Sequence, residues 1–388
     1  MIAKFSSRGV GLCALTLTCM CLVAVLCNTA SAAVLAYDPF LVGADPSAGE
    51  YLPGVKNQDG SDSGSVLGGQ NPTITPPSLP GGAGFYSGPW VQSGGDSQVV
   101  GGVGGGSLNY PFFPRTGKSV REANKFFCCA FGRTGRQLTS ALGSGRGSRT
   151  IYNSFLIDFG NLGPFRIDQV PDPNSPDPNN PILIPTPVND PNDVNTHNIG
   201  KRGYELWNGG IGDGNLAVDF FFNSFSGDRH LTLAARYNNP NQDPNDPNDD
   251  FLSQKVVLGP GYTIPELASQ GNGVHLVVLK FEFNETDSDP NTSADNDVVT
   301  VYLDPTNSIE GDWTPAASLS VATSNLVISH QSAYTQFQFD GNDVPPGAID
   351  EIRWGDTFED VTPFIPEPAS LTLAGLSIAG ILLSRRRR

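Results

Sequence analysis

The sequence predicts an all-β protein, an antiparallel β-sandwich or jelly roll, and three observations carry that expectation. Short runs rich in Val, Phe and Tyr recur after Thr150, each bounded by turn residues. Helical periodicity is nearly absent from the same region. Gly (45 residues) and Pro (32 residues) punctuate the 388-residue chain, at a level below the one at which composition alone argues disorder.

The expected strands are Ile151–Phe159, Leu216–Phe222, His230–Arg236, Val274–Phe283, Asp297–Leu303, Asn325–Ser329, Thr335–Phe339 and Ala348–Trp354. In Val277, Leu279, Phe281 and Phe283 the period of two is explicit, with Lys280 and Glu282 between them on the other face. From Ala33 to about Gly106 the chain reads as loop-heavy around short pieces such as Val34–Tyr37. The glycines at 101–106 lack the Lys-Ser/Thr that a phosphate loop requires.

Three insertions, near 170–200, 238–251 and 284–297, interrupt the run of strands. They carry a repeated Asp-Pro-Asn, beginning at Asp172, Asp177, Asp190, Asp243, Asp246 and Asp289. Proline fixes φ and Asx side chains favour local turns, so these tripeptides read as long, acidic, solvated loops outside any sheet.

Both ends read as sorting segments. Lys4 and Arg8 precede an apolar run from Gly9 to Leu26, and Ala30-Ser31-Ala32 follows. Those are the three parts of a secretory signal peptide over residues 1–32, with cleavage between Ala32 and Ala33. At the other end, Pro366-Glu367-Pro368 precedes an apolar segment, Ala369–Ser384, and the cluster Arg385, Arg386, Arg387 and Arg388. The apolar segment is somewhat shorter than the ~20 residues of an ordinary span, and the arginines would retain it on the cytoplasmic side as a short transmembrane helix. Pro366 and Pro368 bar a helix from extending outward and leave an exposed segment that an enzyme can bind. One body, 33–364, lies between these ends.

The net charge of −16 argues against nucleic acid and anionic lipid as partners. Four of the six cysteines fall in the N-terminal apolar run, which leaves Cys128 and Cys129 and excludes a disulfide-stapled scaffold.

Among groups that carry chemistry, calcium ligands are the sharpest candidates, because clustered carboxylates and Asn carbonyls are hard oxygen donors. Asp287, Asp289, Asn291, Asp295 and Asp297 form such a cluster, although Thr292 and Val298 stand where an EF-hand loop needs Gly and Glu. No other cofactor is implied. Glycoside hydrolysis needs two positioned carboxylates; Asp350 and Glu351 are neighbours, and strand alternation would send them to opposite faces. The four histidines show no metal-type pairing, and no Gly-x-Ser-x-Gly elbow occurs in a strand-turn-helix context. Trp90, Trp207, Trp313 and Trp354 could stack on sugars if exposed, but read as buried in the sandwich core.

The C-terminal residues Pro366, Glu367 and Pro368, the apolar segment and the arginine cluster resemble, in that order, the PEP-CTERM sorting signal of exosortase systems. That resemblance implies recognition of the three residues by exosortase, processing nearby, and transient inner-membrane anchoring before release or attachment at the cell surface. The runs 275–283, 297–305 and 349–355, with 360–363 and the opening 36–40, resemble the laminin G-like or concanavalin A-like domains of secreted planctomycete proteins. An exported structural or adhesive protein, embedded in extracellular polysaccharide, is the leading functional expectation. A lectin-like carbohydrate-binding module is the alternative. A hydrolase ranks last, and no catalytic residues are assigned.

Overall fold

The computed structural model describes residues 34–53, 65–72, 84–94, 97–100, 107–114, 116–122, 130–143, 148–159, 167–171, 183–187, 201–211, 216–223, 230–236, 251–255, 273–284, 297–321, 326–333, 335–338 and 347–364. Their strands, numbered along the chain, form two large antiparallel sheets and one ribbon. In the first sheet the order runs β16 (Ala317–Val321), β15 (Asp297–Leu303), β14 (Val274–Phe283), β7 (Arg149–Asp158), β19 (Ala348–Gly355), β5 (Ser119–Glu122), β4 (Ser97–Val100) and β2 (Ser65–Val66). The edge of β19 that meets β5 also pairs with β1 (Val34–Asp38), from Val34 opposite Gly355 to Asp38 opposite Ile352.

The second sheet runs β13 (Phe251–Lys255), β12 (His230–Arg236), β11 (Leu216–Asn223), β10 (Lys201–Trp207), β17 (Ile328–Ser332), β6 (Ala130–Leu142) and β18 (Thr335–Gln338), with β3 (Tyr86–Gly94) on β6 and β18 also paired to β10. The ribbon is β8 (Ile167–Pro171) with β9 (Leu183–Pro187). Its place inside the first insertion corrects the expectation of an uninterrupted loop there. A two-stranded ribbon has only edge strands, and edges tolerate prolines such as Pro185 and Pro187.

Most of the expected strands recur within a residue or two of their observed ends. The segment expected at Asn325–Ser329 is displaced to Ile328–Ser332. Among the described residues, the largest omission is β6, whose thirteen residues include Gly132, Arg133, Gly135 and Arg136 in place of an apolar alternation.

The sheets pack face to face through alternate side chains. On β14, Val277, Leu279, Phe281 and Phe283 enter the inter-sheet core, as the period of two requires. The opposite face is not simply polar: Leu276 and Val278 enter a second cluster with Tyr152, Leu156 and Tyr302, roofed by Leu108, Tyr110, Phe113, Phe358 and Val361. Between the sheets, Phe155 of β7 lies 4.3 Å from the ring of Tyr204 on β10 and 6.3 Å from Phe220 on β11.

A polar chain also crosses this core. Tyr51 donates to Asp38 at 2.6 Å, and Trp90 Nε1 donates to the Tyr51 hydroxyl at 3.0 Å. Gln331 Oε1 accepts from Tyr86 at 2.8 Å and from Trp354 Nε1 at 2.6 Å, which ties β3, β17 and β19 together. Arg136, almost fully buried, donates to Gly88 O, Asn71 Oδ1 and Pro72 O and lies 4.8 Å from the Tyr86 ring centre. Pairing makes most of these buried polar atoms tolerable, although Arg136 Nη1 and Gln331 Nε2 are buried without a hydrogen-bond partner among the described residues.

Two outcomes are expected. Phe155→Ala removes an aromatic that both sheets grip, and urea unfolding should show a loss of about 3–5 kcal/mol. Asp38 tests the polar chain: burial, ahead of the lowering contributions of Tyr51 and Arg136, lifts its carboxyl from 3.8 to about 6. A carboxyl raised in the folded state contributes stability below its unfolded value and loses it as pH rises through the folded value. Asp38 alone should therefore make the fold less stable at neutral pH than below pH 3.8, by on the order of 3 kcal/mol. Asp38→Asn should flatten that part of the stability profile, and parallel urea midpoints for the two proteins across the window would contradict it.

Candidate functional site

The C-terminal end of the body is built to hold its last residues firmly. Strand β19 ends at Gly355, where a Cβ would lie 2.3 Å from Asp360 Cβ, so glycine permits the close return of the chain. Helix α1 (Phe358–Val361) follows, with a capping box: Asp360 N donates to Thr357 Oγ1 at 3.2 Å and Thr357 N donates to Asp360 Oδ2 at 2.8 Å. Ser154 of β7 donates to Val361 O at 2.6 Å, and Phe358 packs edge-on against Tyr152 and Tyr302. Phe364, the last described residue, rests 5.7 Å from Phe113 and 6.5 Å from Tyr110. Pro366, Glu367, Pro368 and Arg385 to Arg388 lie outside the described residues, as do Ala30, Ala32 and Ala33.

Asp350 and Glu351 depart from the expectation of opposite faces. A register shift falls between Asp350 and Arg353, and Glu351 holds a positive φ of 54°. Ile349 and Ile352 both stay in the inter-sheet core, so the extra residue of the bulge leaves both carboxylates on the outer side. Each is fully buried and engaged. Asp350 Oδ2 accepts from Ser107 Oγ at 2.5 Å and Leu108 N at 2.8 Å. Glu351 accepts from Thr116 N at 2.6 Å, Tyr37 OH at 2.6 Å and Arg353 at 2.9 Å. The Arg353 guanidinium stacks 3.7 Å from the centre of the Tyr37 ring. Burial, then the neighbouring Glu351 charge, pushes the Asp350 carboxyl well above the usual carboxylate range. Together the pair ties β19, β1 and the loops at 107–108 and 116, and presents no open face to a substrate.

The outer side of the second sheet holds a charged row that sequence reading missed. Arg133 of β6 meets Glu205 of β10 at 2.9 Å, with both side chains nearly fully buried. Glu205 stands opposite Asp219 of β11 in the register. Trp207, also buried, lies on the same side as Glu205, beside Gly135: a Cβ there would come within 2.9 Å of its ring. The alternation Tyr204, Glu205, Leu206, Trp207 was the available signal, hidden because Lys201–Trp207 is preceded by a long polar segment.

Of the expected calcium ligands, Asp297 is described. Its two oxygens accept from Asn284 N and Leu326 N, each at 3.0 Å, and join the start of β15 to its neighbours. Asp287, Asp289, Asn291 and Asp295 lie outside the described residues. Among the described residues no group of three or more His, Cys, Asp or Glu is arranged to hold a metal ion, and no helix is long and apolar enough to cross a membrane. Of the tryptophans, Trp90 and Trp354 sit in the inter-sheet core as expected. Trp207 is buried beyond the second sheet, and Trp313 is half-buried beside the cluster outside the first sheet, which corrects the expectation for those two.

Residues 364–388 match the family model described as the PEP-CTERM protein-sorting motif. That motif marks an exported protein processed through exosortase. No curated protein matches the chain. Among solved structures, the chain is similar to a botulinum neurotoxin type C structure at 11% identity and TM-score 0.33, covering 75% of this chain and 47% of that one. It is similar to a legume lectin-like domain from Entamoeba histolytica at 6% identity and TM-score 0.32, covering 69% of this chain and 90% of that one. A carbohydrate-binding module of a Lactobacillus casei phage protein matches at 9% identity and TM-score 0.33, with coverages of 69% and 90%. The chain spans about half the length of the botulinum neurotoxin structures it matches. At these scores the likenesses carry no functional weight.

The bulge can be tested by removing one partner. Glu351→Ala strands the buried Arg353 and should destabilise the body by about 3–5 kcal/mol. Replacing both residues by apolar ones of similar volume, Glu351→Met with Arg353→Leu, should recover much of that loss in urea unfolding.

Proposed function

We propose that the chain is an exported structural protein of the bacterial surface, a compact acidic sandwich whose sorting segment is processed by exosortase. The observation that carries this reading is the adjacency of two features: the folded body is pinned as far as Phe364, and the matched motif occupies 364–388. In this reading residues 1–32 are removed as a signal peptide. Ala369–Ser384 anchors the chain in the inner membrane with Arg385 to Arg388 inside, and processing at Pro366-Glu367-Pro368 delivers the body to the cell surface or matrix.

A structural role is favoured over a lectin-like one by the fate of the tryptophans. Trp90, Trp207 and Trp354 are at most 1% exposed, so none of the three offers a stacking face to a sugar. An enzymatic role is disfavoured by the carboxylates at the bulge, whose oxygens are occupied by backbone and side-chain donors.

Exchanging Pro366, Glu367 and Pro368 for Ala in the native host should leave export intact and accumulate an uncleaved form in the inner membrane. Fractionation with mass mapping of the C-terminus reads the result. A triple variant that reaches the surface with the wild-type processed terminus would sink the assignment.

A further inference from the structure

Phe112 occupies a position that ordinary turn chemistry reserves for another residue. Phe113 N donates to Tyr110 O at 3.2 Å, closing a turn whose second residue is Pro111. A positive φ at the third residue of such a turn favours Gly or Asn. Phe112 holds φ 58° there and remains 49% exposed. The fold thus holds a bulky aromatic in water, in a backbone conformation that penalises it. Strain of this sort is informative where the residue is poised to contact something.

Its surroundings indicate what. The turn is joined to the end of the body, since Phe113 and Tyr110 both pack on Phe364. Tyr110 OH also donates to Pro305 O, and Ser308 Oγ donates to Thr362 O, which brings the segment carrying Ile309 to the same corner. Ile309 is 62% exposed. Beyond Phe364 only Ile365 to Pro368 intervene before the apolar segment begins at Ala369. Extended chain spans at most about 3.6 Å per residue, so Phe364 stays within roughly 18 Å of the start of that segment.

We propose that this corner is a membrane-resting foot: while the C-terminal segment is anchored, Phe112 inserts into the headgroup boundary of the bilayer with Ile309 beside it. The inference rests on the reading of Ala369–Ser384 as an anchor. Covalent reach selects the lipid surface as the occupant, because an anchored chain cannot carry the corner away from it. Exposed aromatics and a large aliphatic residue suit that interface, where Trp and Tyr are also enriched; Tyr110 and the half-buried Trp313 flank the corner. The acidic groups nearby include Glu310, Asp312 and Glu359; of the basic ones, Lys280 is bound to Glu310, and Arg353, 5.4 Å from the Phe113 ring centre, is bound to Glu351. Glu310 is engaged by Tyr152, Tyr302 and Lys280 and Asp312 by Asn307, and their sign directs the foot to zwitterionic rather than anionic headgroups.

The test uses the full, uncleaved chain reconstituted into phosphatidylcholine vesicles, plain or brominated on the acyl chains. In Phe112→Trp, the emission added over wild type should fall roughly twofold in brominated vesicles, as expected for a ring about 5–10 Å into the boundary. Val91→Trp, at a 53% exposed site on β3 of the other sheet, should show no such fall. Flotation of the protein with vesicles separates the two readings. A chain that does not float removes the anchor and the foot together, whereas a Phe112→Trp chain that floats with its added emission unquenched overturns the foot alone. Equal quenching at position 91, or quenching at 112 only after the processing enzyme is added, would also overturn it.

Discussion

Strand β19 is the element on which the rest of the body depends. It pairs with β7 on one edge and with both β1 and β5 on the other, so it joins the first strand of the body to the centre of its sheet. Every residue from Ala348 to Gly355 is buried. Ile349, Ile352 and Trp354 fill the inter-sheet core, while Asp350, Glu351 and Arg353 secure the loops outside the sheet. Take this strand away and β1 loses its pairing, while the loops at 107–108 and 116 lose the carboxylates that hold them.

The bulge in β19 explains how an acidic protein can bury charge at its structural centre. A regular strand would have split Asp350 from Glu351 across the sheet, leaving one carboxylate facing an apolar core at a cost of several kcal/mol. The extra residue instead places both where backbone amides, three hydroxyls and a guanidinium can receive them. Asp297 and Asp38 follow the same rule at other joints. Asp297 accepts the backbone amides of Asn284 and Leu326, and Asp38 accepts the Tyr51 hydroxyl. All four carboxylates tie parts of the fold together. Each is held by directional donors that an exposed reactive group would lack.

How much of this was legible follows from what each strand is made of. β7, β14 and β15 alternate or run apolar between turn residues, so their positions could be read to within a residue or two. β6 could not, because Arg133, Gly135 and Arg136 face partners that only the folded sheet supplies: Glu205, the ring of Trp207, and the carbonyls of Gly88 and Pro72. A strand whose polar residues find their partners on other strands looks like a loop when read alone. For the same reason the charged row on the second sheet and the bulge acids were invisible as a pair. The sorting motif was legible in full because it is recognised as sequence, by order and composition, and needs no tertiary partner.

The pairing of β1 with β19 also constrains the order of events on the proposed export route. Tyr37 and Glu351, whose side chains meet at 2.6 Å, are 314 residues apart. A contact of that range carries a large loop-closure cost and forms late. The first sheet cannot be completed until β19, Ala348–Gly355, has emerged to pair with β1. On that route the translocation machinery handles a chain whose N-terminal strand has no partner yet, so no folded sheet obstructs cleavage of the signal segment that precedes it. The arrival of β19 then captures β1, and α1 and Phe364 dock beside it. Completion of the first sheet and the docking of the last described residues, α1 and Phe364, thus both follow the arrival of the same strand.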